Sequence, residues 1–337
     1  MKRSFAGILA ASALVASFAL SPAANAADVS VTGSGSSYDN AIINACATAA
    51  TGVAVTYTKS SSGTGRTAFN AGTVTFGAMD WQYSATDAKP SKAFTYVPLI
   101  AGPIVFAYNV PGLNLKLDAA TASKILRGVI TTWNDAAIAK INKGATLPSQ
   151  PITLTYRNTG SGTTKNMVQY FRATAPSHGW KDSDAFNTAS GNTKGNGVAS
   201  NADVVALIKK TAYTFGYADL ADVLTAGVQT AALKNAAGAY VKPSVAATAK
   251  FIAAQSMAST GIVKPDYTEP IKGGYNLALV SYAAAPTAAG TAAADGLRTW
   301  LNAYLTTCAP AKAAGLGYVA LTGTAQKTAL KLAAKVG

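Results

Sequence analysis

Arg157-Asn158-Thr159-Gly160-Ser161-Gly162-Thr163-Thr164 is the stretch that decides the fold class of this 337-residue chain. Apolar and polar residues alternate over the preceding segment, 151–156, which is typical of a β-strand. Apolar residues then recur at helical spacing over 167–171, so we predict a helix that begins near Gly162. The free backbone N–H groups of such a helix start, together with the Arg157 guanidinium, predict an oxyanion site. The alternative is a capped helix start beside a surface arginine.

Two earlier segments repeat this order of strand, Ser/Gly-rich turn and helix. A predicted strand at 29–32 leads into Gly33-Ser34-Gly35-Ser36-Ser37-Tyr38, and one at 53–57 leads into Ser60-Ser61-Ser62-Gly63-Thr64-Gly65-Arg66. Ligands of open α/β sheets bind where strand ends converge, so three such turns predict one shared site. Helix capping alone is the competing explanation for the serines. The Arg157 turn lacks the Gly-Lys-Ser/Thr ending of a nucleotide-binding loop, so a triphosphate site is not indicated.

One acidic residue, Asp80, ends a further predicted strand over 73–79. A carboxylate accepts a hydrogen bond from a protonated oxyanion but repels an oxyanion that has no proton to give. Asp80 is therefore the candidate residue for selecting the ligand. The alternative is an ordinary turn or N-cap aspartate.

The rest of the chain alternates between predicted strands and helices, which indicates the α/β class. Two apolar strands are expected at 97–100 and 104–108, separated by Gly102-Pro103. Another strand is expected at 275–282. The Ala-rich segment 283–294 is expected to open the helix that follows it. The length suits two modest domains better than one large core.

The N-terminus has the features of a signal peptide. Lys2 and Arg3 precede an apolar run, and Ala24-Asn25-Ala26 is a small-x-small cleavage motif, so we predict cleavage after Ala26 and export.

The two cysteines fit an oxidising compartment with at most one intrachain bridge. The formal charge of +14 favours anionic partners, but the lysines are scattered and form no stripe for nucleic acid.

The chain offers little for catalysis. Its single histidine, His178, excludes multi-histidine metal sites and is expected to face solvent on a loop. No serine lies in a nucleophile elbow, and no pair of acids forms a recognisable carboxylate motif. We therefore expect a binding protein with no catalytic residues, metal ligands or cofactor.

Taken in order, these motifs resemble the periplasmic phosphate-binding proteins of bacterial ABC-type phosphate importers. The resemblance spans nearly the whole predicted mature chain. Its landmarks are the three turns already quoted, with Phe76-Gly77-Ala78-Met79-Asp80, Thr132-Trp133-Asn134-Asp135, Lys194-Gly195-Asn196-Gly197-Val198-Ala199 and Phe215-Gly216-Tyr217.

The resemblance implies a two-lobed, type II Venus-flytrap fold with a two-strand hinge. Lobe 1 would contain residues 27–103 and 274–337, and lobe 2 residues 104–273, with hinge strands near 101–109 and 271–281. The implied partners are inorganic phosphate and an inner-membrane ABC permease; the protein would be a periplasmic or secreted monomer that binds no nucleic acid. The implied ligand-binding residues are Ser37, Tyr38, Ser61, Asp80, Arg157, Ser161, Gly162 and Thr163. Cys46 and Cys308 would fall in lobe 1, so we predict that they form a disulfide.

This chain departs from the family pattern at several positions. Tyr38-Asp39 stands where the family usually has Phe-Pro, Met79 replaces a small residue, and Lys59 before the second turn is unusual. Thr159 stands where many members have an aspartate that pairs with the arginine. Arg157 is therefore expected to be held less rigidly, in a site one charge unit more positive.

Phosphate capture for an importer is the leading function. One alternative is the binding of another tetrahedral oxyanion, such as arsenate, a phosphonate or sulfate, although Asp80 argues against sulfate. A second alternative is a secreted surface or matrix protein that kept the fold without transport, which the basic charge would suit. A phosphatase is disfavoured because metal ligands and a nucleophile–base pair are missing.

Overall fold

The computed structural model describes residues 28–337, and the predicted signal peptide, residues 1–26, lies outside them. Within 28–337, every helix is too short or too polar to cross a bilayer. The strands, numbered in chain order, are β1 (Val29–Gly35), β2 (Val53–Lys59), β3 (Phe76–Met79), β4 (Phe94–Tyr108), β5 (Lys116–Leu117), β6 (Thr153–Arg157), β7 (Asn196–Val198), β8 (Thr214–Asp219), β9 (Gln229–Thr230), β10 (Ala232–Lys234), β11 (Tyr240–Val241) and β12 (Ala278–Pro286).

The α-helices follow the strands in the alternation expected for an α/β fold. They are α1 (Asn40–Ala45), α2 (Ser62–Asn70), α3 (Ala119–Leu126), α4 (Ala136–Ile141), α5 (Gly162–Thr174), α6 (Phe186–Ser190), α7 (Asn201–Lys210), α8 (Leu220–Ala226), α9 (Val245–Ala254), α10 (Ala292–Ala303), α11 (Ala309–Lys312) and α12 (Gly323–Ala333).

A nine-stranded sheet runs through the described residues, in the order β2-β1-β3-β12-β4-β8-β6-β7, with β9 also pairing with β4. On one side, β1 pairs in parallel with β2 and β3. On the other side, β6 pairs in parallel with β7 and β8. The antiparallel pair of β12 and β4 lies between these two sets. The chain therefore forms two α/β lobes that share their central strands.

The longest strand, β4, passes from one lobe to the other. Its first part, up to Pro103, pairs with β12, and Ile104–Tyr108 pair with β8. The prediction of two strands separated by Gly102-Pro103 is therefore wrong. Pro103 stands where the strand changes partners, so its missing N–H costs little there. Gly102 is needed for packing, because a Cβ atom at this position would lie 2.1 Å from the Tyr38 hydroxyl oxygen.

The strand β12 lies further along the chain than predicted, because it begins at Ala278 instead of Tyr275 and includes Ala283–Pro286, which were expected to open a helix. All of its residues are buried between β3 and β4. This tertiary setting outweighs the helix propensity of alanine. The helix α10 begins only at Ala292, where the Thr291 hydroxyl accepts the Ala294 N–H.

A disulfide joins Cys46, at the end of α1, to Cys308, in the turn that follows α10. The Trp300 indole N–H donates to the Cys46 carbonyl at 2.8 Å, and its ring stacks on Phe76 at 5.6 Å. The disulfide therefore lies beside an aromatic core within one lobe.

Candidate functional site

The Arg157 turn places a buried cation beside the start of a helix. Arg157 is the last residue of β6, and its side chain is only 1% exposed. Ser161 is the N-cap of α5, and its hydroxyl accepts the Thr164 N–H at 3.2 Å. The predicted helix start at Gly162 is thus confirmed. The first-turn N–H groups and Arg157 face the same buried region.

The other two turns converge on this region from the end of the sheet that β1, β2 and β3 form. β1 ends at Gly35, whose φ of +142° and contact with the Ala78 carbonyl exclude a side chain. The following turn brings Ser37 to Arg157, where the Ser37 hydroxyl accepts from Nη1 at 3.0 Å. In the third turn, Ser61 caps α2 by accepting the Thr64 N–H at 3.1 Å. We call Ser37, Asp80, Arg157 and the residues 161–163 the polar cluster.

Neutral oxygens hold the Arg157 guanidinium. Besides Ser37, Nη1 donates to Asn201 Oδ1 at 2.8 Å, and Nη2 donates to Thr159 Oγ1 at 3.1 Å. Thr159 therefore gives the arginine a neutral acceptor, and the expectation that Arg157 is held less rigidly stays a prediction. The Asn201 amide donates in turn to the buried carboxylate of Asp219 at 2.9 Å, so an acid supports the arginine indirectly.

One donor of the Arg157 guanidinium remains unused by the protein. The Nε atom is buried and has no hydrogen-bond partner among residues 28–337. Nη2 also has two hydrogens, of which Thr159 accepts one. Burial lowers the pKa of Arg157, but a guanidinium stays charged in proteins. The site thus contains a buried positive charge with donors on adjacent nitrogens.

Asp80 follows β3 and lies opposite Arg157, 2% exposed. One carboxylate oxygen accepts from the Ser36 hydroxyl at 2.6 Å and from the Ser281 hydroxyl at 3.0 Å, and the other accepts from Thr163 Oγ1 at 3.4 Å. Burial raises the pKa of Asp80 above its ordinary value, and these hydrogen bonds and the charge of Arg157 offset part of that rise. The carboxylate is therefore an acceptor inside an otherwise donor-rich region.

Ser62, which the sequence analysis did not single out, connects the helix starts. Its hydroxyl accepts the Gly162 N–H at 3.2 Å and the Asp80 N–H at 3.3 Å. A Cβ atom at Gly162 would lie 2.5 Å from the Ser62 hydroxyl oxygen, so the close approach of the two lobes requires glycine. The Thr163 N–H is left as a first-turn donor that helix geometry provides with no intrahelical acceptor.

Tyr38 and Ser61 lie at the edge of the polar cluster. The Tyr38 N–H donates to Ser36 Oγ at 3.0 Å, and its ring packs edge-on against Tyr318. The Ser61 hydroxyl is within 3.0 Å of Thr64 Oγ1. Neither side chain contacts Arg157, whereas Ser37 contacts Arg157 and Asp80 contacts Thr163.

Asn201 and Ser281 are further polar residues of the site that sequence reasoning missed. Asn201 opens α7, after β7 and the capping residue Ser200, so a fourth strand–serine–helix unit was a signal available in the sequence. Ser281 lies within β12, where nothing in the local sequence indicates that it belongs to a binding site.

Direct contacts hold the two lobes together around the polar cluster. The Arg66 guanidinium of α2 donates to the Asp184 carboxylate at 2.6 Å, and the Gly63 N–H donates to the Gly160 carbonyl at 2.9 Å. Lys165, which pairs with Asp182, lies over the Trp81 ring at 5.6 Å. These contacts join segments from the two ends of the sheet beside the polar cluster.

The next question is whether the described residues could hold a metal ion and where the single histidine lies. Residues 28–337 contain no group of three or more His, Cys, Asp or Glu side chains arranged to hold a metal ion. His178 lies in a short turn away from the polar cluster, with Nδ1 2.8 Å from the Ser123 hydroxyl oxygen. It is partly exposed, as expected for a loop residue, although its ring also contacts Ser123.

Comparison with known proteins identifies the family. The family model for the PBP superfamily domain matches residues 18–307. The phosphate-binding protein PstS of Pasteurella multocida is 32% identical over 236 residues, which cover 68% of this chain and 67% of that protein. The chain belongs to the PstS phosphate-binding-protein family. A second member, PstS 3 of Mycobacterium leprae, is 38% identical over 134 residues, 38% of this chain but only 36% of that protein.

Solved structures agree with the PstS family fold. A high-affinity periplasmic phosphate-binding protein, solved with phosphate bound, superimposes with a TM-score of 0.73 at 19% identity, covering 89% of this chain and 92% of that one. The likeness supports the predicted two-lobed Venus-flytrap fold.

Proposed function

We propose that this member of the PstS family binds inorganic phosphate between its lobes and delivers it to an inner-membrane ABC permease. The observation that carries the proposal is the buried Arg157 Nε, a charged donor without a protein acceptor among residues 28–337. A buried donor of this kind is costly unless a ligand satisfies it. Phosphate has oxygens that can bind Nε and Nη2 together.

The surrounding groups suit a partly protonated oxyanion. The proposed ligand contacts are those predicted from the family: Ser37, Tyr38, Ser61, Asp80, Arg157, Ser161, Gly162 and Thr163. The start of α5 favours negative charge. Asp80 supplies an acceptor for the proton that phosphate retains at neutral pH, whereas sulfate has none. Arsenate has similar protons and is the nearest competitor.

Binding at this position would depend on lobe closure. We propose lobe boundaries between residues 103 and 104 and between 273 and 274. This division is supported by the change of partner of β4, where Pro103 pairs with Ala278 and Ile104 pairs with Asp219. The Arg66–Asp184 pair would then join the lobes in the closed state and break on release.

The mature protein would act as an exported, monomeric, non-enzymatic carrier. Calorimetry of ligand-stripped protein, starting after Ala26, tests the binding proposal with phosphate, arsenate and sulfate. We expect tight binding of phosphate, weaker or equal binding of arsenate and very weak binding of sulfate. Equal binding of all three ions, or no heat with phosphate, would contradict the proposal.

A further inference from the structure

A second buried acid, Asp39, lies behind Asp80. Asp39 is fully buried and precedes α1, but its side chain does not cap that helix. One of its oxygens, Oδ2, lies 2.5 Å from the Ser281 hydroxyl oxygen. The other, Oδ1, has no hydrogen-bond partner among residues 28–337. Asp39 therefore faces the site through a single contact.

The Ser281 hydroxyl bridges the two acids, since it also lies 3.0 Å from Asp80 Oδ1. A hydroxyl has only one hydrogen to donate. If both acids were ionised, Ser281 could donate to one, and the other would face its lone pairs. A proton on Asp39 removes this conflict, because Asp39 then donates to Ser281 and Ser281 donates to Asp80.

The contacts of the two acids favour a proton on Asp39 over one on Asp80. Asp80 receives hydroxyl donors from Ser36 and Thr163 besides Ser281, and it faces Arg157. Those contacts favour its ionised form. Asp39 has the Ser281 contact alone.

The charges around Asp39 also favour its protonated form. Burial first, and then the charge of Asp80, raise the pKa of Asp39 well above its ordinary value. The other titratable groups that face it are acids and phenols: Asp219, Tyr38, Tyr57, Tyr304 and Tyr318.

We propose that Asp39 is a positioning residue of the binding site, a neutral acid that, through Ser281, keeps Asp80 an ionised acceptor for the proton of the bound oxyanion. This inference rests on the proposed phosphate site. It adds a regulation by pH: when Asp39 loses its proton, a second negative charge enters the region and weakens anion capture.

The expected effect can be bounded. A unit charge within about 10 Å of the anion, at an effective dielectric constant of about 20, changes affinity on the order of tenfold. Asp39→Asn imitates the protonated acid, because its amide donates to Ser281 and does not ionise. Asp295→Asn is the matched control, since Asp295 is a surface acid paired with Arg298 on α10.

The experiment measures phosphate affinity by calorimetry for the mature wild type and both variants, from neutral to alkaline pH. We expect the ratio of the Asp39→Asn affinity to the wild-type affinity to rise about tenfold from neutral to alkaline pH. Asp295→Asn should follow the wild type. Since phosphate ionises identically in every titration, the ratio of affinities isolates the protein group.

Infrared difference spectra, wild type minus Asp39→Asn, provide a readout that needs no ligand. They should contain the C=O band of a protonated carboxylic acid, lost at the pH where affinity falls. Ser281→Ala should shift this band, because the protonated acid loses its hydrogen-bond acceptor. If Asp39→Asn does not fold, the band shift in Ser281→Ala tests whether Asp39 is protonated.

Two results overturn the inference: a constant affinity ratio with no acid band, or an acid band that Ser281→Ala leaves unmoved. If no protein binds phosphate but the band is present and shifts, the proton assignment holds and the proposed function fails.

Discussion

Replacement of Arg157 by lysine is the sharpest perturbation of the proposed site. Lysine keeps the positive charge but has three donors on one nitrogen, whereas arginine has five donors in a planar fork. Three of the arginine donors are committed to Ser37, Asn201 and Thr159. A lysine at this position cannot both replace these contacts and bind two oxygens of one ligand.

The loss can be estimated from the donors left for the ligand. Hydrogen bonds that involve a charged group contribute about 1.5–3 kcal/mol each, and the ammonium would keep part of that. A net loss of about 2–4 kcal/mol corresponds to about 30- to 1,000-fold weaker phosphate binding.

Calorimetry on the ligand-stripped mature protein measures this loss. Arg298→Lys is the control, because Arg298 is a half-exposed arginine paired with Asp295 on α10. Thermal unfolding without ligand checks that both variants fold. If Arg157→Lys binds phosphate as tightly as the control does, Arg157 does not contact the ligand and the reasoning fails.

Four further changes test separate parts of the account. Asp80→Asn should still bind phosphate, because its side-chain oxygen still accepts a hydrogen bond, and it should also bind sulfate measurably, because its amide donates one. If competition calorimetry finds no gain in sulfate binding, Asp80 does not select phosphate over sulfate. The pKa of Asp39 is raised in the folded state, so the protonated acid stabilises the fold at acid pH, and this contribution is lost as pH rises through the folded pKa. In thermal unfolding, the stability of Asp39→Asn relative to the wild type should therefore increase with pH, by up to about 1.4 kcal/mol per pH unit. A stability difference that does not change with pH would be evidence against a protonated Asp39. Reduction of the Cys46–Cys308 disulfide should lower the free energy of unfolding by up to about 5 kcal/mol without weakening phosphate binding, and two reactive thiols in denatured, non-reduced protein would show that the bond does not form. Arg66→Gln removes the pair with Asp184 and should speed phosphate release in stopped-flow experiments by up to about fivefold, whereas an unchanged rate would mean that this contact does not hold the lobes closed.

The sequence predicted the parts of the site that local patterns encode. Each Ser/Gly-rich turn follows an alternating strand and precedes a helix, so the start of α5 at Gly162 and the position of Arg157 at a strand end could be read from period and capping signals. The convergence of the turns followed from the general behaviour of strand ends in α/β sheets.

The missed residues depend on contacts between distant segments. Ser281 reaches Asp39 and Asp80 only because β12 lies between β3 and β4, an order that local sequence does not specify. Asn201 opens a helix whose capped start could be recognised in the sequence, but only the fold brings it to Arg157. The continuous strand β4 was missed for the same reason, since the exchange of partners at Pro103 makes a proline tolerable there.

The central claim is that the unused donors of Arg157 bind the oxyanion, and a crystal structure of the mature protein with phosphate tests it most directly. Phosphate oxygens should lie within hydrogen-bonding distance of Arg157 Nε and the Thr163 N–H, with the protonated oxygen facing Asp80. Phosphate bound elsewhere, or an Arg157 Nε without a phosphate oxygen in the loaded protein, would contradict it.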